Sequence, residues 1–331
     1  MSYDPNVLQQ ASRRLEEQRR ARARQSEQRR AQIYARQPRL AQIDRELRTT
    51  MTEVVTAALK KGEDPAPAIA RLREQNLDLQ DERNVILGSM GLAPSDLDDT
   101  PACSMCGDTG WTGTTMCDCL HRLCTQEQIR SLSNLLNLGE QTFDSFRFDY
   151  YGTQPHPATG MSPRENMENL VYPVCLNYAR LFGQRATRNL YLYGAPGLGK
   201  TFLSACIART VSEQGYSVVY DTAGNIFSRF EDQKFARDPD ARDETRRYLH
   251  CDLLIVDDLG CELTTQFVQT ALYTLINSRL TALKHTIISS NLTMDEVARR
   301  YSPQIASRLE GEYAALHFYG EDIRLQKKNL L

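Results

Sequence analysis

The chain has 331 residues, of which 41% are hydrophobic and 25% charged, and its formal net charge is −2. This length exceeds one typical domain, and the apolar content is sufficient for a buried core. The N-terminus is polar, and no apolar run approaches the roughly eighteen residues that a membrane helix requires. The nine cysteines of a chain without a signal peptide favour metal binding in a reducing compartment over disulfides. We therefore expect a cytoplasmic protein, which excludes membrane and secreted classes.

Residues 1–98 are predicted to be almost entirely helical. The stretch Arg13–Arg39 contains ten arginines and three acidic residues, and Pro38 interrupts it. Its mixed charge favours a helix exposed to solvent or to a protein over one that binds nucleic acid. Two apolar stripes at helical spacing follow, on either side of the breaker Lys61–Pro67. The stripes consist of Leu40, Ile43, Leu47, Met51, Val54 and Val55, then of Ile69, Leu72, Leu79 and Ile86. The pattern predicts an antiparallel helical hairpin that packs on a partner or on itself; a solvated spacer is the alternative.

Residues 99–125 contain a cysteine cluster with the spacing of a metal site. Cys103 and Cys106 precede a Gly-rich turn, and Cys117 and Cys119 form the simplest second pair. A tetrahedral Zn²⁺ site needs four sulfur or nitrogen ligands, and a segment this short and polar needs a metal to fold. The tight spacing of the second pair leaves His121 or Cys124 as alternates for one ligand. We predict a structural zinc knuckle; a redox Cys-x₂-Cys and unligated thiols are the alternatives.

The most specific motif of the chain is an apolar strand that runs into GAPGLGKT at 194–201. Its glycines permit a tight backbone curl whose amides point at phosphates. The lysine adds a charge for the β- and γ-phosphates, the threonine hydroxyl can ligate Mg²⁺, and the following helix contributes its positive dipole end. The predicted nucleotide-binding residues are Gly194, Ala195, Pro196, Gly197, Leu198, Gly199, Lys200, Thr201 and Phe202.

A second motif, Leu253–Asp258, is an apolar run that ends in two carboxylates. Such a run is typical of a strand buried on both faces of a parallel sheet, and ligands bind beyond the carboxyl ends of these strands. In this Walker B pattern Asp257 is predicted to hold Mg²⁺ and Asp258 to polarise the attacking water. The pair favours an ATPase or a GTPase over a protein that only binds nucleotide.

Strands and helices alternate from about residue 141 onward. The predicted strands are 189–193, 217–221, 252–257, 285–290 and 315–319, and the predicted helices are 200–214, 223–236, 264–281 and 303–312. This alternation predicts a parallel α/β sheet with right-handed crossovers. Asn291 follows the fourth strand, where it could hold the attacking water; an ordinary turn asparagine is the alternative.

Three arginines downstream are candidates for contact with the nucleotide. Arg308 lies where an arginine could reach the γ-phosphate of a neighbouring subunit and stabilise the charge of the transition state. Arg300 is a second candidate for this role, and Arg324 is a candidate for contact within its own subunit. Each of them could instead be a surface arginine.

The helix after the second strand combines charge with aromatic rings, a composition found in single-stranded nucleic acid binding. It carries Arg229, Lys234 and Arg237 interleaved with Phe227, Phe230 and Phe235. An amphipathic helix with its phenylalanines in the core explains the pattern equally well.

Four segments of the chain together resemble AAA+ ATPases of the DnaC/DnaI helicase-loader group, which includes the IstB transposition helpers. In chain order these segments are GAPGLGKT, LLIVDDLGCE, SSN and SRL. The segment Phe143–Tyr151 resembles the lead-in that covers the nucleotide base in that group, and CSMCGDTGWTGTTMCDCL resembles the cysteine-rich region of DnaI-like loaders. The resemblance implies that Asn291 is sensor 1 and Arg308 an arginine finger that acts in trans. One departure from the wider AAA+ pattern is Asp258, where most members have glutamate; the shorter side chain suits a switch.

The resemblance implies four regions: a helicase-binding arm at 1–98, the zinc knuckle at 99–125, a linker and base-covering lead-in at 126–164, and an AAA+ ATPase domain at 165–331. It implies an oligomeric, ATP-dependent loader that binds the hexameric replicative helicase and single-stranded DNA, with ATP, Mg²⁺ and Zn²⁺ as cofactors. An IstB-like helper of a transposase is the first alternative, and a nonenzymatic adaptor with a vestigial ATPase is the second.

Overall fold

The computed structural model describes residues 3–59, 66–133, 136, 138, 141–157, 159–184, 188–235 and 240–329. The chain divides into two compact units, Arg13–Cys119 and a second that joins Met1–Ser12 to Leu120–Leu331. We call them the helical unit and the sheet unit. Among the described residues, no helix has both the length and the apolar character that crossing a membrane requires.

The helical unit contains three long helices and a small hairpin, and its first helix begins in the segment assigned to the sheet unit. These elements are Pro5–Arg36 (α1), Pro38–Leu59 (α2), Ala66–Ser89 (α3), Trp111–Thr112 (β1) and Thr115–Met116 (β2). α1 ends one residue before Gln37, and Pro38 opens α2, where its fixed φ and missing N–H cost nothing. The interruption that the sequence predicts at Pro38 is therefore a helix boundary.

Polar pairs show that α2 and α3 are antiparallel. Arg39 near the start of α2 donates to Glu82 near the end of α3 (Nη2–Oε2 2.6 Å), whereas Thr50, further along α2, donates to Asn76. The apolar contacts of this unit centre on four buried side chains, Ile33, Leu40, Leu87 and Leu97. Residues 61–65, which are most of the predicted breaker, lie outside the described residues, as do the side chains of Met51, Val54, Val55 and Ile69.

The sheet unit alternates strands and helices. Its strands are Asn189–Gly194 (β3), Val218–Thr222 (β4), Leu253–Leu259 (β5), His285–Ser290 (β6) and Tyr313–Phe318 (β7). Its helices are Asp118–Ser133 (α4), Pro163–Asn166 (α5), Tyr172–Arg180 (α6), Lys200–Glu213 (α7), Ala223–Phe235 (α8), Asp240–His250 (α9), Gln266–Thr281 (α10), Met294–Arg300 (α11), Pro303–Glu312 (α12) and Ile323–Asn329 (α13). The predicted strands and helices agree with these bounds to within two residues. The helices α4, α5, α6, α9, α11 and α13 were not predicted.

The five strands form one parallel sheet in the order β4-β5-β6-β3-β7. The predicted parallel α/β fold is confirmed. Side chains of β3 and β5 alternate between two apolar clusters, so Leu253 and Ile255 pack on one face of the sheet and Leu254 and Val256 on the other. Helices cover both faces, as parallel sheets require. The order brings the carboxyl ends of β3, β5 and β6 together at one edge.

A buried arginine stabilises the other end of the sheet, where the strands begin. Arg279 of α10 has no exposed surface, and its guanidinium donates to the carbonyl oxygens of Tyr248 (2.7 Å), Cys251 (3.1 Å) and His285 and to the Thr286 hydroxyl (2.9 Å). These acceptors lie where α9 ends and where β5 and β6 begin. One side chain therefore satisfies backbone groups that would otherwise be buried without donors.

We expect Arg279→Met to lower the free energy of unfolding by about 3 kcal/mol, because the apolar replacement leaves several buried carbonyl oxygens without a donor. Urea denaturation followed by far-UV circular dichroism measures the change. Arg299→Met on the exposed face of α11 is the matched control and should change it by less than about 0.5 kcal/mol. Equal effects of the two substitutions would contradict this role of Arg279.

Candidate functional site

The phosphate-binding loop connects β3 to α7, as its motif requires. Gly194, Gly197 and Gly199 have φ angles of 140°, 77° and 89°, in the region that side chains disfavour. A Cβ on Gly194 would overlap the Phe318 carbonyl oxygen, and one on Gly197 would overlap the Asp322 carboxylate. Close packing against the end of β7 and the segment that follows it therefore fixes the loop, in addition to the loop's own conformation.

Lys200 opens α7 and turns back into the loop. It is buried, and its Nζ donates to the carbonyl oxygens of Gly194 (2.7 Å) and Ala195 (2.9 Å). Burial lowers the pKa of Lys200, and the nearby carboxylates of Asp258 and Asp257 partly offset this change. The ammonium group is thus held at the centre of the loop, where a phosphate would compete for it.

Asp257 is buried at the end of β5, and three hydroxyl groups satisfy its carboxylate. Oδ2 accepts hydrogen bonds from Tyr220 (2.6 Å) and Thr201 (3.1 Å), and Oδ1 accepts one from Ser289. Burial and the adjacent carboxylate of Asp257 raise the pKa of Tyr220, so the phenol stays protonated and donates. The predicted Mg²⁺ residues Thr201 and Asp257 are therefore in direct contact.

Asp258, the next residue, differs from Asp257 in both its backbone conformation and its exposure. Its φ of 55° is left-handed, its side chain is exposed, and its backbone N–H donates to the Ser289 hydroxyl (3.1 Å). Partial desolvation and then repulsion from Asp257 raise the pKa of the Asp258 carboxyl, whereas Lys200 lowers it. The change of backbone conformation between the two carboxylates separates them: one is bound inside the sheet, and the other faces a cavity.

That cavity has a volume of about 510 Å³, and it brings most of the predicted nucleotide residues together. Its lining includes Pro196, Gly197, Leu198, Gly199, Lys200, Thr201, Phe202, Asp258, Asn291 and Arg324. The other side is lined by the segment before α5, with Gln141, Ser145, Phe146, Arg147, Tyr150 and Tyr151. Asn291 lies directly after β6, and Arg324 lies in the first turn of α13. A carboxylate and an amide group thus line the same cavity as the lysine.

The two remaining arginines do not line this cavity. Arg300 donates to the Thr264 hydroxyl (2.9 Å) and to the Glu262 carbonyl oxygen (2.7 Å) of its own chain. Arg308 is exposed on α12 beside Tyr273; hydrogen bonds from Asn277 and from Arg308 lower the pKa of that phenol. Arg300 is therefore committed to an internal contact, whereas Arg308 presents its charge on the surface.

The helix with alternating charge and aromatic rings, α8, uses part of its aromatic set for packing. Phe227 is buried, Phe230 is half-buried and stacks on Tyr248 (ring centroids 6.3 Å apart), and Lys234 lies over the Phe267 ring. Arg237 and the side chain of Phe235 lie outside the described residues. These contacts assign Phe227 to the core, as the amphipathic alternative predicts.

The four predicted zinc ligands converge in the helical unit. The sulfur atoms of Cys103, Cys106, Cys117 and Cys119 lie within 4.8 Å of one another. The backbone N–H of Gly110 donates to the Cys106 sulfur (3.3 Å). Among the described residues, the two alternate ligands, His121 and Cys124, do not belong to this group of sulfur atoms. His121 is hydrogen-bonded to the Tyr3 hydroxyl (3.1 Å), and Cys124 is buried.

The knuckle has an internal support that the spacing of its cysteines does not reveal. Asp108 is buried and accepts hydrogen bonds from the backbone N–H groups of Ala102 (3.0 Å) and Cys103 (2.9 Å) and from Arg22 (2.7 Å). The turn that carries the first cysteine pair is thereby fixed.

Tyr220 and Ser289 are contacts of the site that sequence reasoning missed. Tyr220 is the last residue but one of a predicted strand, and Ser289 was noted only as part of the Ser-Ser-Asn segment. Their role depends on which strands are neighbours of β5, and a single sequence does not give that order. A hydroxyl near the carboxyl end of a strand is the one signal that could have drawn attention to them.

Comparison with known proteins shows what this site is similar to. Residues 178–329 match the family model described as IstB-like ATP binding protein. The replicative helicase loader DnaI of Bacillus subtilis is 31% identical over 120 residues, which are 35% of this chain and 37% of that protein. The chromosomal replication initiator protein DnaA of Thermoanaerobacter sp. strain X514 is 25% identical over 150 residues, 45% of this chain and 32% of that protein. The chain thus spans about a third of the length of these relatives.

A solved structure described as the DnaC helicase loader has 18% sequence identity and a TM-score of 0.45, and the match covers 55% of this chain and 99% of that one. The family model and the DnaI relative confirm the resemblance that the sequence motifs carry. Residues 178–329 are therefore similar to the IstB-like ATP binding proteins, and part of the chain is similar to the helicase loader DnaI.

Proposed function

We propose that this protein is an ATP-dependent loader that places the replicative DNA helicase on single-stranded DNA during replication initiation. The observation that carries the proposal is the cavity in which the phosphate-binding loop, Asp258 and Asn291 meet, in a domain that is similar to the helicase loader DnaI. Because its proposed partners are the helicase and DNA, the proposal places the protein in the cytoplasm. The helical unit would bind the helicase, and the sheet unit would bind ATP.

The residues of the cavity fit ATP hydrolysis. The loop amides and Lys200 would bind the phosphates, and the oxygen ligands of Thr201 and Asp257 suit Mg²⁺, which would neutralise charge on the phosphates. Asp258 would accept a proton from the attacking water, and its raised pKa favours that role. Asn291 would orient the same water, and Arg324 would contact the phosphates within its own subunit.

Arg308 would complete the site of a neighbouring subunit. Its exposure on α12, outside the cavity of its own chain, supports action in trans, and the internal contacts of Arg300 make that residue a weaker candidate. A guanidinium that arrives only on assembly would restrict hydrolysis to the oligomer, as expected of a switch.

Mixing two inactive variants tests action in trans. Asp258→Asn and Arg308→Ala should each lower the turnover number at least about 100-fold while ATP binding persists. Asparagine tolerates the left-handed backbone at position 258, so the first variant should fold. In an equal mixture, about a quarter of the interfaces pair an intact Asp258 with an intact Arg308 and should recover activity, as phosphate release will show.

Arg299→Ala, on the exposed surface of α11, is the matched control and should keep the turnover of the unmodified protein. A mixture that is no more active than its two components, although both bind ATP, would contradict the role of Arg308 in trans.

The cysteine group supports a structural zinc site. Four thiolates within mutual reach satisfy the tetrahedral preference of Zn²⁺ and leave no open position for chemistry. The N–H donor to Cys106 and the buried Asp108 would orient the ligands, which is the usual task of groups around a structural metal. Cys103, Cys106, Cys117 and Cys119 are the proposed ligands.

We expect protein purified under reducing conditions to contain about one zinc ion per chain, measured by inductively coupled plasma mass spectrometry. Cys106→Ser should lose the metal and lower the melting temperature of the helical unit, because metal binding contributes directly to folding. Cys261→Ser, at an exposed cysteine outside the group, should keep both values. Zinc retained by Cys106→Ser would show that this cysteine is not a ligand.

Partner binding tests the loader function itself. Mixed with its cognate hexameric helicase, the protein should form a complex in native mass spectrometry whose stoichiometry changes between ATP and ADP. Lys200→Ala should still bind the helicase but lose the change, because the lysine acts only through the phosphates. No complex in any nucleotide state, with ATP binding intact, would contradict the loader function and favour an IstB-like helper of a transposase.

A further inference from the structure

One short segment of chain forms part of the cavity wall beside the phosphate-binding loop. Six of its lining residues, Gln141, Ser145, Phe146, Arg147, Tyr150 and Tyr151, precede α5. With the phosphates at the loop, a nucleotide of ordinary length would place its base against this segment. The segment therefore decides which base fits.

Aromatic rings of this segment provide flat surfaces on which a base can stack. The Phe146 ring stacks on Tyr151 (centroids 5.8 Å apart, 21° between planes) and meets the edge of Phe202 (5.7 Å). The Arg147 guanidinium lies over the Tyr150 ring at 5.6 Å. Stacking of this kind tolerates any base, because every base has a π-face. Discrimination between bases needs a polar group that faces a base edge.

Gln141 carries such a group. Its side-chain Oε1 is buried, and no donor among the described residues lies within hydrogen-bond distance of it. Native proteins leave few buried polar atoms unpaired, and each such atom calls for an explanation. Here the atom belongs to a residue that lines the cavity, so a rotation of the side chain toward the cavity would let a donor of a ligand satisfy it.

The backbone that directly follows Gln141 is fixed by hydrogen bonds within the protein. The backbone N–H of Thr142 donates to the Ser145 hydroxyl (3.0 Å), and the N–H of Ser145 donates to the Thr142 hydroxyl (3.1 Å). The Tyr172 hydroxyl donates to the Phe143 carbonyl oxygen (3.1 Å). A rigid turn lowers the cost of ordering the side chain on binding.

We propose that Gln141 selects adenine over guanine by a paired hydrogen bond to the N6 and N7 edge of the base. The inference rests on the proposed function, since it names the base of the nucleotide held at the same site. A glutamine amide matches adenine at this edge: Oε1 accepts from the N6 amine and Nε2 donates to N7.

Guanine fails in either orientation of the amide. It presents two acceptors, O6 and N7, where adenine presents a donor and an acceptor. If Oε1 faces O6, two acceptors meet; if the amide turns over, Oε1 faces N7 with the same result. The selection therefore does not depend on which way the amide is placed.

Isothermal titration calorimetry with ADP, GDP and 7-deaza-ADP tests the proposal without interference from hydrolysis. The unmodified protein should bind GDP about ten- to a hundred-fold more weakly than ADP, because an unmatched buried acceptor is costly. 7-deaza-ADP lacks the N7 acceptor and should bind roughly ten-fold more weakly than ADP. Gln141→Leu should weaken ADP binding and reduce the ADP preference to less than about three-fold.

Gln141→Glu keeps an acceptor for N6 and loses the donor for N7, so it should bind ADP and 7-deaza-ADP equally. The matched control Gln154→Leu, at an exposed glutamine outside the cavity, should keep the base preference. A GDP affinity equal to that for ADP, equal binding of ADP and 7-deaza-ADP by the unmodified protein, or an undiminished preference in Gln141→Leu would overturn the assignment alone. An unmodified protein that binds none of the three nucleotides would overturn the proposed function as well.

Discussion

The nucleotide site depends on how one buried carboxylate is satisfied. Asp257 lies inside the sheet, where an unpaired charge would cost several kcal/mol. It accepts hydrogen bonds from Thr201 of α7, Tyr220 of β4 and Ser289 of β6. β4 and β6 are the two neighbours of β5, so the strand order itself places two of the three donors. The sheet cannot lose this order without leaving a buried charge unpaired.

The phosphate-binding loop is tied to the segment after β7 as well as to α7. The backbone N–H of Ile323 donates to the Gly197 carbonyl oxygen (3.0 Å), and Gly194 and Gly197 leave no room for a Cβ against Phe318 and Asp322. The glycines of the motif thus serve packing in addition to phosphate binding. The same contacts hold the first turn of α13, so Arg324 reaches the cavity because the loop and this turn are packed together.

Residues with strong local signals were predictable. The apolar run Leu253–Val256, the glycine loop and the cysteine spacings led to the correct strand, to the loop before α7 and to four converging thiols. Tyr220 and Ser289, the partners of Asp257 on the neighbouring strands, were not predictable, because lateral strand order leaves no local trace. α9, with the sequence DARDETRRYLH, lacks an apolar stripe, and a buried arginine such as Arg279 looks like a surface residue until its acceptors are placed.

The two parts of the cavity follow different physical rules. This explains why the phosphate-binding loop has a motif of its own, whereas Phe143–Tyr151 was identified only by its resemblance to a family. Phosphates are held mainly by backbone amides, which force glycine into fixed positions and create a motif. A base is held by side chains on an irregular segment, where many residue types can stack. The segment before α5 and the phosphate-binding loop are nevertheless connected, since the Tyr151 hydroxyl donates to the Leu198 carbonyl oxygen (2.9 Å) and Tyr151 stacks on Phe146. A shift of the segment before α5 would therefore move a ring that is hydrogen-bonded to the phosphate-binding loop, so the two parts of the cavity are mechanically connected.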